Sequence, residues 1–233
     1  MSDSLQPPSA DPRASYDYRS DDVRRSGLVD DLERLIEGDV RFDEYSKGLY
    51  ATDASAYEVT PIGVIYPRST ADVAAVMEYC ARRLIPVLPR GGGTSLAGQA
   101  VNEAVVLDFD RHMDDLLAFD ADARTARVQS GTVVDELNLA LEQHGLKFAP
   151  DPAAGDRSTV GGAIGNNSTG AHSLKYGLTD AYVEEVEAVL ADGTVTRFSE
   201  VSLSTLRERA DPDGDPEARI YAGVADIIDE HDA

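Results

Sequence analysis

Pro89-Arg90-Gly91-Gly92-Gly93-Thr94-Ser95-Leu96-Ala97-Gly98-Gln99 is the stretch on which the reading of this chain turns. It lies between two short β-prone runs, residues 85–88 and 104–109. Three consecutive glycines let the backbone adopt positive φ and turn its N–H groups inward as an anion nest. Thr94 and Ser95 add hydroxyl donors, and Arg90 is the nearest full positive charge. Two phosphate loops can be tested against it. A dinucleotide fingerprint starting at Gly91 needs glycine where Leu96 stands, and one starting at Gly93 fails at Ser95. A nucleotide loop starting at Gly93 finds Gly98 but then meets Gln99-Ala100 instead of Lys followed by Ser or Thr. Both patterns fail, while the physics they exploit remains.

Working outward, residues 62–66 form a β-rich run closed by Pro67. Ser69-Thr70-Ala71-Asp72 reads as a helix start in which either hydroxyl can cap and Asp72 complements the positive helix end. That helix runs to about residue 84, with Val73, Val76, Met77 and Cys80 on its buried face. Strand, helix, strand, glycine loop, strand predicts a small α/β unit with partly parallel pairing. Upstream, residues 23–37 carry a helical rhythm ending at Gly38, and residues 39–60 show no sustained period. Residues 1–22 read as a disordered tail without the basic start and apolar stretch of a secretory signal.

Downstream, residues 124–129 alternate as a strand, and residues 133–144 form an amphipathic helix capped by Thr132 and terminated by Gly145. Residues 147–177 read as a long irregular segment, and such a loop inside a compact domain is functional when its composition argues against disorder. Within it, Ser158-Thr159-Val160-Gly161-Gly162-Ala163-Ile164-Gly165-Asn166-Asn167-Ser168-Thr169-Gly170 is dominated by small residues, which admit another backbone or a flat ligand. Asn166 and Asn167 bring amides that both donate and accept. Residues 183–190 and 194–198 read as a hairpin around Asp192-Gly193, and residues 219–233 as a final helix. Two small-residue segments separated by a strand–helix unit suit a dinucleotide, with a phosphate middle and flat ends, better than a mononucleotide.

Composition limits the partners. The 233 residues carry a formal net charge of −22, with Lys47, Lys147 and Lys175 the only lysines. No basic stripe exists to neutralise phosphates, which excludes nucleic acid as a partner. Aspartate-rich, lysine-poor composition resembles adaptation to a high-salt cytoplasm, with a merely acidic protein as the alternative. No apolar run is long enough to span a membrane. The single cysteine, Cys80, excludes a disulfide framework or a cysteine-ligated iron–sulfur centre within these residues, and its apolar neighbours read as core. Among the histidines, only His172 lies inside the glycine-rich region, where a ligand contact stands against loop packing; His112, His144 and His231 read as turn, helix-end and tail residues. No nucleophile–base triad or metal cluster is legible, so the catalytic residues stay unassigned.

Residues 89–98, Phe148-Ala149-Pro150-Asp151-Pro152, residues 158–170, Lys175-Tyr176-Gly177 and Val189-Leu190-Ala191-Asp192-Gly193, in that order, resemble the FAD-binding domain of the vanillyl-alcohol oxidase/p-cresol methylhydroxylase family. Within it the chain is similar to glycolate oxidase, D-lactate dehydrogenase and D-2-hydroxyglutarate dehydrogenase flavoproteins. Arg41-Phe42-Asp43-Glu44-Tyr45 and Tyr50-Ala51-Thr52-Asp53-Ala54-Ser55 resemble the lead-in of the long members. The resemblance implies an α+β, PCMH-type fold. A small α/β subdomain over residues 56–112 and a mixed-sheet α+β subdomain over residues 113–233 would follow a helical lead-in at 23–55. It implies FAD stretched between the subdomains, with Gly91, Gly92, Gly93, Thr94 and Ser95 on the pyrophosphate. Thr159, Gly161, Gly162, Asn167 and Gly170 would line the cofactor, with Pro152, Tyr176 and Gly177 nearby; Arg90, Leu96 and Gly98 complete the set. No histidine flanks the glycine loop, so FAD is expected to be non-covalent.

In the family the substrate cap lies downstream, so the chain is expected to be a fragment or a truncated product, with an exposed apolar seam where the cap would pack. Iron–sulfur is implied only if the protein continues. The leading reading is the flavin portion of a D-2-hydroxyacid dehydrogenase that passes a substrate hydride to FAD and electrons to an unspecified acceptor. An alcohol or sugar oxidase of the same fold and a non-catalytic flavin-binding module stay open. Phosphoryl transfer is disfavoured by the missing lysine after Gly98.

Overall fold

A computed structural model describes residues 27–231; the tail at 1–22, the start of the first helix at 23–26 and residues 232–233 lie outside the described residues. Helix α1 (Leu28–Leu35) is followed by β1 (Asp39–Arg41), α2 (Glu44–Leu49), β2 (Gly63–Tyr66), α3 (Thr70–Arg82), β3 (Val87–Arg90) and β4 (Val105–Asp108). These strands form a sheet in the order β1-β2-β4-β3. β4 pairs parallel with both β2 and β3, whereas β1 runs antiparallel to β2. The partly parallel unit expected from the sequence is therefore present.

β2 and β4 are buried throughout, and their side chains alternate between the two faces of the sheet, as the two-residue period of a strand requires. Ile65, Val105 and Leu107 face α1 and α3 and close a core with Leu28, Leu32, Val73, Val76 and Cys80. Val64, Tyr66 and Val106 face the other way, against Tyr50 and Leu88. Ser69, rather than Thr70, caps α3 by accepting from the amide of Asp72 at 3.2 Å. The buried Asp72 carboxylate accepts from the amides of Arg68 at 2.8 Å and Glu37 at 3.0 Å, joining the start of α3 to the end of α1. Helix α3 stops at Arg82 because the chain turns into a left-handed conformation at Leu84, with φ 56°. That turn shifts β3 two residues later than the apolar run suggested and makes Arg90 its last residue, opposite Asp108. β3 is the edge strand, the place where Pro89, lacking an N–H, is tolerated.

The second half opens with an antiparallel hairpin of β5 (Leu116–Asp120) and β6 (Thr125–Val128), then α4 (Val134–Glu142). The sequence reading found β6 but missed β5, whose residues are mostly exposed and lack an apolar alternation. Thr132 does not cap α4: its buried hydroxyl donates to the carbonyl of Asp114 at 2.9 Å instead. Gly145 does end the turn after α4, with φ 66°. The segment expected to be irregular contains two short helices, α5 (Val160–Gly165) and α6 (Ser173–Tyr176), before a 3-10 turn at Thr179–Tyr182. Val134, Leu137, Leu141 and Val160 form a second core beneath Phe119, Val128 and Phe148.

The expected hairpin at the glycine turn is β7 (Glu185–Val189) with β8 (Val195–Ser199). Helices α7 (Leu203–Arg209), not foreseen, and α8 (Pro216–His231) complete the described chain. The strands of this half thus form two antiparallel hairpins within the α+β class. The β7–β8 hairpin lies on α3, where a Cβ on Gly193 would come 2.8 Å from the carbonyl oxygen of Ala74. Glu185 also accepts from Arg127 of β6 at 2.6 Å, so one hairpin is tied to the other. Among the described residues no helix is long and apolar enough to cross a membrane.

Candidate functional site

The chain leaves β3 at Arg90, and the next residues form a loop covered by the second glycine segment. Gly91 lies against Thr159 and Gly92 against the carbonyl of Arg157, each so closely that a Cβ would overlap its neighbour. Thr94 Oγ1 lies 3.2 Å from Ser158 Oγ on the same flank. The two small-residue segments recognised separately in the sequence are therefore one surface. Gly93 has φ 64°, and a Cβ there would come 2.5 Å from the Arg90 guanidinium. Gly98 has φ 79° beside the Tyr57 ring, and Leu96 projects at the loop tip, 80% exposed.

Hydrogen bonding separates the roles of these glycines. Among the described residues no group accepts from the backbone N–H of Gly91, Gly92, Gly93, Thr94 or Ser95. In α5 the amides are already taken: Val160 donates to Thr132 O, Gly161 to Ser130 O, and Gly162 to the Thr159 hydroxyl. Gly161 thus serves close approach, since a Cβ there would come 2.7 Å from Ser130 Cβ. Partly buried amides without partners are costly, so the 91–95 loop is the part of this surface that leaves donors open to an outside acceptor.

Arg90 is engaged elsewhere. Its guanidinium donates to the carbonyls of Ala100 at 2.8 Å, Thr52 at 2.9 Å and Tyr50 at 3.3 Å, and it stacks 5.0 Å from the Tyr50 ring centroid. Ala54 N donates to Gly93 O at 3.0 Å, and Asp53 accepts from Ser55 N at 2.8 Å and Ala100 N at 3.3 Å. Residues 50–57 therefore form a collar that holds both ends of the loop. The sequence reading noted these residues only for their likeness to a lead-in. The legible signal was Asp53-Ala54-Ser55, the spacing of a turn in which the Asp side chain accepts from the amide two residues on.

Below the collar, the Tyr50 hydroxyl donates to the buried Asp108 carboxylate. Burial pushes the Asp108 carboxyl up and the Tyr50 phenol well up, and burial also lowers the Arg90 guanidinium against the pull of Tyr50, Asp108 and Asp53. Burial pushes Asp53 up too, but its hydrogen bonds from Ser55 and Ala100 and the Arg90 charge outweigh that and leave it low.

Farther along, Pro152 and Gly170 form an isolated antiparallel bridge, and Gly170 N donates to Ser173 Oγ at 2.9 Å. Asn167 sits at φ 44° and accepts at Oδ1 from Asp180 N at 2.9 Å, so its amide oxygen braces the loop. Gly177 has φ 84°, and Tyr176 accepts at its carbonyl from the Tyr182 hydroxyl at 2.6 Å. His172 Nδ1 pairs with Asp151 Oδ2 at 2.6 Å, 6.3 Å from the Tyr176 ring. His112 pairs with Asp39 at 2.9 Å and His144 packs at a tilt against Phe119. Among the described residues no group of His, Cys, Asp and Glu could hold a metal ion.

Comparison with known proteins assigns the chain to a family. Residues 61–199 match the FAD binding domain family. The chain is 35% identical over 187 residues to D-2-hydroxyglutarate dehydrogenase of Haemophilus influenzae, covering 78% of this chain and 18% of that protein. It is 38% identical over 172 residues to glycolate oxidase subunit GlcD of Bacillus subtilis, covering 71% and 36%. The chain thus spans well under half the length of these relatives. In three dimensions it superposes on 6-hydroxy-D-nicotine oxidase from Arthrobacter nicotinovorans with a TM-score of 0.62 at 24% identity, over 70% of this chain and 36% of that one. The residues present fit FAD: a pyrophosphate needs donors lacking internal partners and a backbone open to close approach, and residues 91–95 offer the first and the glycines 91–93 the second.

Proposed function

On the premise that the chain belongs to the FAD binding domain family, we propose that it is the flavin-binding portion of a dehydrogenase acting on a small D-2-hydroxyacid of the lactate, glycolate or 2-hydroxyglutarate type. The observation that carries the reading is the row of five N–H groups at Gly91–Ser95 without internal partners, on a loop whose Gly91 and Gly92 pack directly against Thr159 and the Arg157 carbonyl. The relatives named above supply the substrate class.

In this reading residues 91–95 hold the pyrophosphate by backbone donation, which works in any salt and against a net charge of −22. Arg90 acts by holding the collar and the loop. Thr159, Gly161 and Gly162 keep the facing wall close, and Pro152, Asn167, Gly170, Tyr176 and Gly177 shape its continuation. Leu96 and Gly98 form the outer lip. FAD, when bound, accepts the hydride, while the protein supplies position and electrostatics. No histidine stands in residues 89–99, in keeping with non-covalent attachment. The two cofactor subdomains divide near residue 112. The protein works in a salt-rich cytoplasm and meets its electron acceptor there or at the inner face of a membrane; an iron–sulfur centre enters only with residues beyond this chain.

The test is a visible absorption spectrum of the chain purified in high salt, before and after adding FAD. Flavin bands that survive desalting and are lost on changing Gly92 and Gly93 to Val support the reading. A folded chain that stays colourless with added FAD rejects it for this chain.

A further inference from the structure

An anion loop in a protein of charge −22 gains from a local cation, and Arg90, the cation nearest in sequence, is bonded to three carbonyls. Arg157 is the arginine the fold brings to the loop from the opposite wall. Its carbonyl occupies the space a Cβ on Gly92 would fill, and its own Cβ lies 3.6 Å from that position. The next residue, Ser158, faces Thr94 hydroxyl to hydroxyl. The backbone of Arg157 is therefore fixed against Gly92, in the row of free amides.

Its guanidinium is unconstrained by comparison. The Arg157 side chain is 77% exposed, and its ion pair among the described residues is with the adjacent Asp156 at 3.7 Å, too long for a hydrogen bond. Swinging it onto a ligand therefore sacrifices little. A guanidinium offers paired donors matched to phosphate oxygens, and neutral amides below with a cation from the facing wall would enclose a dianionic group from two sides.

Resting on the FAD reading above, we propose that Arg157 is a further cofactor-binding residue, closing from the second glycine segment over the pyrophosphate held by the Gly91–Ser95 amides. Gly92 then has a second purpose: it admits the Arg157 backbone and so sets where that charge is tethered.

The experiment titrates the whole chain, as Arg157→Gln, Arg157→Lys and unchanged, with FAD and with riboflavin, which lacks the pyrophosphate. Binding is followed by flavin fluorescence at low and high KCl, with the melting temperature of each ligand-free protein recorded alongside. Arg157→Gln is expected to weaken FAD roughly tenfold while riboflavin affinity and melting stay unchanged. It should also flatten the dependence of FAD affinity on salt, because one charge contact is gone. Arg157→Lys should keep most of the salt dependence and recover part of the affinity. FAD binding within twofold of the unchanged chain, or an equal loss for riboflavin, overturns the proposal and leaves the flavin reading standing. An unchanged chain that takes up neither flavin overturns both.

Discussion

Gly91 and Thr159, from opposite ends of the cofactor half of the chain, approach so closely that a Cβ on the glycine would overlap the threonine hydroxyl. Thr159 is itself 2% exposed, caps α5 through Gly162 N, and bridges to Val133. It cannot retreat without disturbing the start of that helix, so this contact sets how closely the two glycine segments approach each other.

Gly91→Ala should therefore force the walls apart. A loss of about 1–3 kcal/mol in stability is expected from overpacking, together with loss of FAD retention. Gly165→Ala is the control, since a Cβ there meets nothing within 4 Å, and its melting temperature should match or exceed the parent's. Equal melting and FAD affinity for Gly91→Ala and the parent would show that the spacing of the two segments is not set here.

Arg90→Lys tests whether Arg90 acts through the collar. An ammonium cannot reproduce a planar fork satisfying the carbonyls of Tyr50, Thr52 and Ala100 together. Stability should fall by roughly 1.5–3 kcal/mol, the worth of hydrogen bonds to a charged group, and flavin affinity should fall with it, for riboflavin as for FAD. A loss confined to FAD would instead make Arg90 a direct ligand.

Tyr50→Phe removes the hydroxyl that donates to Asp108 and leaves that buried carboxylate short of a donor. A cost of about 1–3 kcal/mol follows. Burial already raises the Asp108 carboxyl in the folded protein, so the destabilisation should shrink as pH falls and the carboxyl takes up its proton. Chemical denaturation at neutral and acidic pH reads this directly, and a cost that does not shrink counts against it.

The Asp53 carboxyl has the opposite sign: burial raises it, but the hydrogen bonds from Ser55 and Ala100 and the Arg90 charge leave it below its ordinary value. Its contribution is present above the ordinary carboxylate range and is lost as pH falls through the lowered folded value. FAD retention should drop below about pH 4. Asp53→Asn should bind FAD more weakly at neutral pH and show a flatter acid decline. An acid profile identical to the parent's would mean that Asp53 does not govern the loop.

The net charge of −22 gives a last expectation. Self-repulsion is screened more strongly as KCl rises from about 0.1 M to about 1 M, so the melting temperature should climb over that interval. A flat or falling curve would reject the high-salt assignment and leave an ordinary acidic protein.

How far the sequence could be read depended on where each signal lay. α3 was legible because its buried residues follow the helix period and a Ser-x-x-Asp start marks it, and β2 and β4 because each is a short β-rich run. β5 was not, because its residues are largely exposed and its pairing partner, not its pattern, makes it a strand. α5 was hidden because three of its six residues are glycine, a poor helix former; the bonds from Val160 to Thr132 and from Gly161 to Ser130 supply what propensity does not. Thr132 looked like a cap by position, yet its hydroxyl found the Asp114 carbonyl across the turn.

The family resemblance of its motifs implied the α+β class; the sequence by itself determined the small α/β unit, the two glycine segments and their order, and the expectation of an anion held by backbone amides. These follow from residue type and short-range spacing, which need no partner. Only the tertiary structure decided which amides are free, that Arg90 holds the collar, and that Arg157 reaches the loop. Each of those depends on which groups from distant segments meet, and a hydrogen-bonding group has no role until its neighbours have been chosen by the packing of the two cores.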